Sequence, residues 1–423
     1  MVKVRTKYEF GYHVLGPIFY SFSYKLWLNQ QVWTDRDSLT LFLSRGGLRL
    51  RYVYNLFLSK NNIKAPLPEE DFYVSRMALL KASYLKTPEE TSTLLQREYN
   101  CVTVLKAMEY LLPKAVFHSW QSSLCTVEKE IYKKRDIQVD DFCEFIKPTH
   151  AGYTVLAAYL KSHTKELRRH LDEIRQGNSH LLMVDTGWSG TILRECQSIF
   201  PDINFFGHFF GRSAFSSQVP EHFSNLQGVA FEADRYHWLY PLSSILLHRH
   251  LIEGVFEPKW PSVEGYLLES PHDLIQPETG VIPDNIRKPS IEDDFLNGIC
   301  DYIAKSDTEL NANQIQREEN LAAKMIQRLI VFPSRSQLDF LTVDTRSADF
   351  GKGLDVSVLI YDGYGQSISQ KLNRVTQSLW PHGQVAIEFS GLMRVSIQFL
   401  LSCPNLMNKL WAFTNKYILR RAS

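Results

Sequence analysis

The chain has 423 residues, of which 44% are hydrophobic and 22% are charged, and these values are typical of a globular protein and not of a disordered one. Its 47 basic and 46 acidic residues leave a formal charge of +1, which argues against broad electrostatic binding to nucleic acid. The length favours a core domain with an appended region.

Cysteine usage and the N-terminal sequence both point to the inside of the cell. The six cysteines are scattered without CxxC spacing, so we expect neither a zinc site nor a disulfide framework. The first residues lack the apolar core of a signal peptide, and no apolar run approaches the roughly 18 residues that span a bilayer. We therefore expect a cytoplasmic protein.

Two short apolar strands are predicted in the first part of the chain, after an apolar helix at 14–32. These strands are 38–44, which ends in Arg45-Gly46-Gly47, and 71–75, which ends at Arg76. Helical sequence follows each of them. A strand that ends in a polar loop and continues into a helix is the repeating unit of α/β proteins.

The middle of the chain continues this alternation. Its longest helix signal runs from about 151 to 176, and the segment 180–184 then reads as a strand. Two further strands are predicted at 203–211 and 226–233. Because these strands are apolar on both faces, we expect an α/β fold with a mainly parallel sheet flanked by helices.

The alternation weakens after about Pro271, which suggests an α/β domain at 1–275 and a helical and mixed C-terminal region at 276–423. In the second region we predict helical structure at 291–331 and strands within 354–362 and 384–391. The tail after residue 392 is apolar and basic. It reads either as a packed terminal helix or as a segment that rests on a membrane surface.

The segment Asp185–Thr191, DTGWSGT, is the strongest local signal for a binding site. It is predicted as a loop between a buried strand and a helix that ends at Ile199, at the edge of the sheet where open α/β folds bind ligands. Gly187 and Gly190 permit a tight turn, and the helix N-terminus favours phosphate. Hydroxyl donors come from Thr186, Ser189 and Thr191, and Asp185 could contact ribose hydroxyls or help to hold magnesium.

Two other interpretations of this segment stay open. The first is a tight strand-to-helix turn in which Ser or Thr is an ordinary helix cap. The second is the nucleophile elbow of an α/β-hydrolase, with Ser189 as nucleophile and with Glu253 and His272 available downstream as acid and base. The elbow pattern fails at its last glycine, where this chain has Thr191.

Arginine at the ends of two strands suggests a phosphate-rich ligand. The planar fork of Arg45 or Arg76 can donate two parallel hydrogen bonds to one phosphate group. Further along, His250 and Glu253 are three residues apart and could share one helix face, as metal ligands sometimes do. A third ligand is not evident, so a structural pair is the simpler interpretation.

The order of several segments along the chain resembles one bacterial family. The segments are LGP (15–17), LFLSRGG (41–47), YVSR (73–76), VDTGWSGT (184–191), GHFFGR (207–212), EGVFEPKWPSVEGY (253–266) and WPHG (380–383). Together they resemble the phosphoribosyltransferase-like glycosyltransferases that build ribofuranose into capsules and O-antigens, often fused to a haloacid-dehalogenase-type phosphatase. VDTGWSGT is the most specific piece of this resemblance.

The resemblance implies an inverting phosphoribosyltransferase-like enzyme. It would pass 5-phosphoribosyl from phosphoribosyl pyrophosphate to a sugar hydroxyl of a growing surface polysaccharide on a lipid-linked acceptor, with Mg²⁺ as cofactor. The segment Asp185–Thr191 would hold the ribose and its 5-phosphate. Pyrophosphate would contact Arg45, Gly46, Gly47 and Arg76. Asp185, Arg45 and Glu253 would be catalytic, and the base stays open between Asp185 and Glu253.

Two departures from the family pattern matter. Gly46 stands where relatives often carry an acid, so the metal ligands are unknown, and Asp185 has no second acid beside it. No DxDx[TV] signature occurs, so the phosphatase would be a separate protein. The alternatives are the Ser189 hydrolase and a non-catalytic subunit that binds glycan or nucleotide. In every case we expect a cytoplasmic protein without nucleic-acid partners, and peripheral contact with the inner membrane is a further possibility.

Overall fold

Five parallel strands form the central sheet of the computed structural model, in the order β2-β1-β3-β4-β5. They are β1 Ser38–Leu43, β2 Glu69–Phe72, β3 His180–Trp188, β4 Asn204–Arg212 and β5 Leu226–Glu232. The structure describes residues 3–99, 102–215, 218–258, 260–267, 276–277, 287–343, 345–347, 355–361 and 367–403. All six residues of β1 are buried, as expected for a parallel strand covered on both faces.

Helices account for most of the remaining described residues. In chain order they are α1 Lys7–Phe10, α2 Gly16–Gln31, α3 Gly46–Lys60, α4 Arg76–Ser83, α5 Pro88–Glu98, α6 Val104–Leu111, α7 Lys114–Ser123, α8 Thr126–Tyr132, α9 Val139–Phe145, α10 Tyr153–Arg175, α11 Thr191–Ile199, α12 Arg249–Phe256, α13 Asp294–Lys305, α14 Ala312–Val331, α15 Arg335–Leu341, α16 Ile368–Gln377, α17 Pro381–Glu388 and α18 Gly391–Leu401. A π-helical turn, Gly11–Leu15, joins α1 to α2, and 3₁₀ helices span Glu221–Asn225 and Pro241–His248.

Alternate side chains of the strands enter two different cores. Phe42 and Val184 point into the core formed with α2, α3, α12, α13 and α14. Leu41 and Met183, their neighbours in sequence, point into the core formed with α4, α10 and α11. Because successive side chains of a strand point to opposite faces, the two cores lie on opposite faces of the sheet, and helices cover both. This confirms the predicted α/β fold with a parallel sheet flanked by helices.

A third core lies apart from the sheet. It is formed by α5 to α9 and the first half of α10, with Trp120 and Phe142 fully buried. These short helices occupy the chain between the helix after β2 and the long helix before β3. The first of them, α5, begins at Pro88 with Thr87 as its N-cap residue, and proline suits this first helical position.

The helical region predicted at 291–331 is present as α13 and α14. Both helices share the core of α2 and α3, and a Cβ added to Gly11 would lie 2.2 Å from the carbonyl oxygen of Phe295. The predicted division between 1–275 and 276–423 stays a prediction. The tail beyond residue 403 lies outside the described residues.

Several predicted boundaries were wrong. The first helical stretch begins at Lys7, with Thr6 as its N-cap, and not at residue 14. β2 spans Glu69–Phe72 and not 71–75. In the segment 384–391 the alternation of apolar residues suggested a strand, but Pro381 opens α17 there and Val385 is buried in a helix. Of 354–362, the described strand is Asp355–Ser357, which pairs antiparallel with Thr345–Ser347.

Candidate functional site

A pocket of about 600 Å³ lies at the carboxyl edge of the sheet, where β1 and β3 end side by side. The helix after β1, α3, packs on one face of the sheet, and the helix after β3, α11, packs on the other. The chain connections therefore diverge between these two strands. Such a switch point leaves a crevice in which open α/β proteins bind ligands.

The pocket brings together nearly all of the predicted site residues. Those that line it are Arg45, Gly46, Arg76, Asp185, Thr186, Gly187, Ser189, Gly190, Thr191 and Glu253. Gly47 lies behind this surface in the first turn of α3, where an added Cβ would lie 2.7 Å from the carbonyl oxygen of Val184. Gly47 thus permits the close approach of α3 to β3 and does not line the pocket.

The predicted loop Asp185–Thr191 is shorter than expected. β3 continues to Trp188 because Asp185, Gly187 and Trp188 still pair with β4. Gly187 has φ +101°, and an added Cβ would lie 2.3 Å from the carbonyl oxygen of Gly211, so only glycine fits here without displacing the neighbouring strand. The turn itself consists of Ser189 and Gly190.

The N-terminus of α11 opens into this pocket without a side-chain cap. Its N-cap is Gly190, in the left-handed region at φ +69°, ψ +25°, so the interpretation of Ser or Thr as an ordinary cap is wrong. The hydroxyls of Ser189 and Thr191 lie 3.2 Å apart beside the turn. Free N–H groups at a helix N-terminus, the positive end of the helix dipole and two hydroxyl donors form an arrangement suited to a phosphate group.

Arginines approach the same pocket from other elements. Arg45, at the end of β1, forms an ion pair with Glu257, with Nη2 and Oε1 3.4 Å apart. Arg76, the first residue of α4, and Arg97, near the end of α5, both reach Oε1 of Glu98, at 3.5 Å and 3.1 Å. These carboxylates orient the guanidinium groups and also balance their charge.

Four charged residues of the pocket were not predicted from the sequence, namely Arg97, Glu98, Arg249 and Glu257. Arg97 lies in α5, one of the short helices that follow α4. No local sequence pattern predicted that these helices reach the edge of the sheet. Arg249 begins α12, and its guanidinium lies 5.2 Å from the ring centre of Phe215. Arg249 lies between His248 and His250. The neighbouring pair of His250 and Glu253 had already drawn attention to this segment of the sequence.

The environment of Asp185 favours its neutral form. Burial is the main cause that raises the pKa of its carboxyl group to about 7; the negative charges of Glu257 and Glu253 act in the same direction, and hydrogen bonds from Thr186 oppose them. The backbone N–H of Thr186 donates to Oδ1 of Asp185 at 2.8 Å. A carboxyl group whose pKa lies near neutrality can exchange a proton under physiological conditions.

Glu253 is held rigidly at the pocket wall. The indole N–H of Trp188 donates to its Oε1 at 2.8 Å, and Nδ1 of His250 lies 2.8 Å from its Oε2. The expectation that His250 and Glu253 share one helix face is therefore confirmed. Among the described residues, no three His, Cys, Asp or Glu side chains are grouped as metal ligands.

The geometry around Ser189 differs from that of a hydrolase elbow. Its hydroxyl faces Thr191, and the Nε2 atom of His222 contacts its carbonyl oxygen at 2.7 Å instead of the hydroxyl. The positive φ angles of this turn belong to Gly187 and Gly190, whereas an elbow places its nucleophile at the strained position. His272, the histidine considered for that mechanism, lies outside the described residues.

A second cavity, of about 620 Å³, adjoins the first and shares Arg97, Ser189 and Thr191 with it. Its remaining lining is mostly polar and comes from Leu94, Arg194, Gln197, Pro220, Glu221, His222, Ser224 and Asn225. Burial lowers the pKa of His222. Because the Ser189 carbonyl can only accept a hydrogen bond, Nε2 of His222 carries the proton and Nδ1 is an acceptor when the ring is neutral.

No protein-family model matches the chain, and a search of curated proteins finds no similar sequence. In the described part of the chain, every helix is too short or too polar to cross a bilayer. The function is therefore inferred from the pocket itself and from the resemblance of its sequence segments to the family named above.

Proposed function

We propose that the protein is an inverting phosphoribosyltransferase-type glycosyltransferase that moves 5-phosphoribosyl from phosphoribosyl pyrophosphate to a sugar hydroxyl of a growing bacterial surface polysaccharide. One observation carries this proposal: the uncapped N-terminus of α11, Arg45 after β1 and Arg76 at the start of α4 line one pocket at the switch point of a parallel sheet. Such a pocket suits a ligand with phosphate groups at two separate places. The identity of the donor comes from the resemblance.

In this proposal the 5-phosphate binds at Gly190 and Thr191, where the N–H groups of α11 are free of a side-chain cap. The ribose lies beside Asp185, and the pyrophosphate faces Arg45 and Arg76. As the bond between C1 and the pyrophosphate oxygen breaks, negative charge gathers on the leaving group and positive charge on the ribose. The arginines stabilise the first charge, and the carboxylate of Glu253 stabilises the second.

The geometry favours Asp185 over Glu253 as the general base. Both oxygens of Glu253 already accept hydrogen bonds from fixed partners, whereas the pKa of Asp185 is raised to about 7, close to the value that suits proton transfer at neutral pH. The acceptor hydroxyl loses its proton to Asp185 while its oxygen attacks C1 from the face opposite to the pyrophosphate. Inversion at C1 follows from this in-line displacement.

The carboxylates of the pocket fit a magnesium ion. Glu257 lies beside Arg45 on the proposed pyrophosphate side and thus supplies an acid near the position where Gly46 replaces the acid of the family pattern. Its charge contributes to the raised pKa of Asp185, and a divalent cation would relieve that repulsion. Mg²⁺ usually binds one or two carboxylates together with substrate phosphates, so Glu257 would hold it, and the ion would neutralise charge on the leaving group.

The second cavity suits the glycan acceptor. Its amides and hydroxyls match the hydrogen-bonding needs of a neutral sugar, and it meets the donor pocket at Ser189 and Thr191. A lipid-linked oligosaccharide bound there would extend past the 5-phosphate to bring its hydroxyl to C1 of the ribose. A separate haloacid-dehalogenase-type phosphatase would then remove the 5-phosphate, since the chain has no DxDx[TV] signature of its own.

The test is pyrophosphate release from phosphoribosyl pyrophosphate with Mg²⁺ and a panel of lipid-linked or synthetic glycans. Acceptor-dependent release should fall by about 100-fold or more in Arg45→Ala and Asp185→Ala. The matched control is Arg36→Ala, an exposed arginine before β1 at the opposite edge of the sheet, which should keep full activity. If wild type releases no pyrophosphate and calorimetry detects no donor binding, the proposal is wrong.

A further inference from the structure

An exposed aromatic side chain lies at the wall of the pocket where the chain leaves β4. Phe215 follows the last residue of β4, Arg212, by three positions; it lines the pocket and is 47% exposed. Its φ angle is +51°, in the left-handed region that bulky residues rarely adopt. Such strain persists only where the surroundings hold it, and it is concentrated at ligand-binding sites.

Contacts on two sides hold Phe215 in this conformation. Its backbone N–H donates to Oγ of the buried Ser213 at 3.3 Å, and the N–H of Ala214 donates to Oδ1 of Asp234 at 3.1 Å. The guanidinium of Arg249 lies 5.2 Å from the centre of the ring, a distance at which a cation and an aromatic ring attract each other. The ring is therefore fixed in place while about half of the residue stays open to a ligand.

This ring belongs to the part of the pocket wall that contains Glu253. Arg249 and Glu253 are four residues apart on α12, so their side chains lie on the same helix face. Glu253 accepts a hydrogen bond at 2.8 Å from the indole of Trp188, the last residue of β3. Phe215, Arg249 and Glu253 thus form a continuous wall beside the end of β3.

The order of the strands places this wall opposite the arginines of the proposed pyrophosphate site. Arg76 follows β2 and Arg45 follows β1, whereas Phe215 follows β4. In the order β2-β1-β3-β4, β3 with Asp185 lies between them. An inverting displacement requires the incoming hydroxyl on the face of the ribose opposite to the leaving group. With the ribose beside Asp185 and the pyrophosphate at the arginines, the acceptor approaches from the side of Phe215.

An exposed aromatic ring is chemically suited to a sugar. The C–H groups on one face of a pyranose are apolar and slightly positive, and the face of an aromatic ring is negative, so the two attract each other when they stack. A guanidinium beside the ring can donate hydrogen bonds to the hydroxyl oxygens of the sugar. The negative charge of Glu253 on the same wall disfavours an acidic sugar. The wall therefore fits a neutral pyranose.

We infer that Phe215 is the stacking platform for the terminal sugar of the acceptor, a neutral pyranose whose hydroxyl attacks C1 of the ribose. The inference rests on the proposed function, because the positions of ribose and pyrophosphate come from it. The second cavity adjoins this pocket and is lined in part by residues of the same connection between β4 and β5. That cavity then holds the preceding sugars of the glycan.

Kinetics with the panel glycan that supports the fastest pyrophosphate release test the inference. Phe215→Asn removes the ring and keeps the fold, because Asn adopts positive φ angles more readily than most residues. It should raise the KM for the glycan by about tenfold or more and leave the KM for the donor within about twofold of wild type. Phe215→Trp keeps an aromatic face and should retain the KM of wild type. The matched control is Val219→Asn, at a 71% exposed residue outside the lining of both cavities, which should also behave as wild type.

Binding of simple sugars separates this inference from the proposed transferase. Saturation-transfer NMR of the full chain with the methyl glycosides of galactose, glucose, mannose and N-acetylglucosamine needs neither donor nor turnover. At least one glycoside should give a signal with wild type and with Val219→Asn, and that signal should be lost in Phe215→Asn. Absence of any signal with wild type, an equal signal with Phe215→Asn, or an unchanged KM for the glycan in Phe215→Asn overturns the inference. Sugar binding that depends on Phe215 in a protein that releases no pyrophosphate supports the platform and rejects only the transferase.

Discussion

Replacing Asp185 by Asn tests the electrostatics of the pocket without reference to any substrate. The folded protein holds this carboxyl group at a pKa of about 7, against an ordinary value of 3.8. Asn preserves its shape and the acceptor for the Thr186 N–H, and it cannot ionise. The variant should therefore lose the pH dependence of stability that belongs to this one group.

The direction follows from the raised pKa. Between pH 4 and pH 7 the carboxyl group is ionised in the unfolded chain and still protonated in the folded one, so the stability of the wild type falls as pH rises through this range. Above pH 7 both states are ionised and the loss is complete. The two pKa values differ by about three, which corresponds to at most about 4 kcal/mol. Because the half-buried carboxyl group faces an open pocket, solvent reduces this to roughly 1–3 kcal/mol.

Urea denaturation at pH 4.5 and pH 8 measures the effect. Between pH 4.5 and pH 8, the unfolding free energy of wild type should fall by roughly 1–3 kcal/mol more than that of Asp185→Asn. Asp35→Asn, at an exposed aspartate in the loop before β1, is the matched control and should follow the wild type. A difference between variant and wild type that stays constant with pH would refute the assigned environment of Asp185.

Three further predictions concern the turn after β3 and the second cavity. Gly190→Ala should destabilise the protein by about 1–3 kcal/mol in urea denaturation, because its φ is +69° and the new Cβ would lie 2.6 Å from Cδ2 of Leu226; unchanged stability would contradict the turn geometry. Ser189→Ala should keep pyrophosphate release within roughly tenfold of wild type, since it removes one hydrogen bond, and labelling of wild-type Ser189 by a fluorophosphonate would instead support a hydrolase. Gln197→Ala should raise the KM for the glycan acceptor by roughly threefold and leave the KM for the donor unchanged, and an effect on the donor alone would place the acceptor elsewhere.

The parallel sheet was predictable because its signals are local. Four of the five strands are rich in apolar residues, and the predicted ranges of these four overlap the observed ones over most of their length; the exception is β2, Glu69–Phe72, which is acidic. Parallel strands buried on both faces need mostly apolar side chains, and four of the six residues of β1 and the run 181–184 of β3 are apolar. The carboxyl ends of such strands meet at one edge, so the positions of Arg45 and Asp185 along the chain already implied that they lie near each other.

The exact ends of the strands depend on pairing that a single sequence does not encode locally. β3 extends through Gly187 to Trp188 because β4 offers backbone partners as far as Arg212. In 384–391, alternation of apolar residues fitted a strand, but Pro381 sets the start of a helix and Trp380 and Val385 are buried in the cores beside it. In both cases long-range contacts decided between two locally acceptable structures.

The arginine and glutamate partners in the pocket could not be predicted for a related reason. Arg97 and Glu98 are carried to the sheet edge by α5, and Glu257 follows α12, so each reaches the pocket through packing of a helix and not through a strand end. Nothing in their local sequence distinguishes them from solvated residues. Most of the predicted site lies at the ends of β1 and β3, whereas the missed residues lie in or directly after helices that cover the edge of the sheet.

The pairing of Arg45 with Glu257 has a consequence for the proposed donor. The charge of this arginine is already balanced by a carboxylate 3.4 Å away, and Arg76 and Arg97 share Glu98 in the same way. A free pyrophosphate group would therefore be attracted by the arginines and at the same time be repelled by the negative charge of Glu257. Glu257 would hold a magnesium ion there, and the ion would supply positive charge that offsets the repulsion between this carboxylate and the pyrophosphate, while Arg45 stabilises the charge of the leaving group. If the proposed function holds, the donor should bind as its magnesium complex. Glu257, at the end of α12, would then take the place of the acidic residue that the family pattern has where this chain has Gly46.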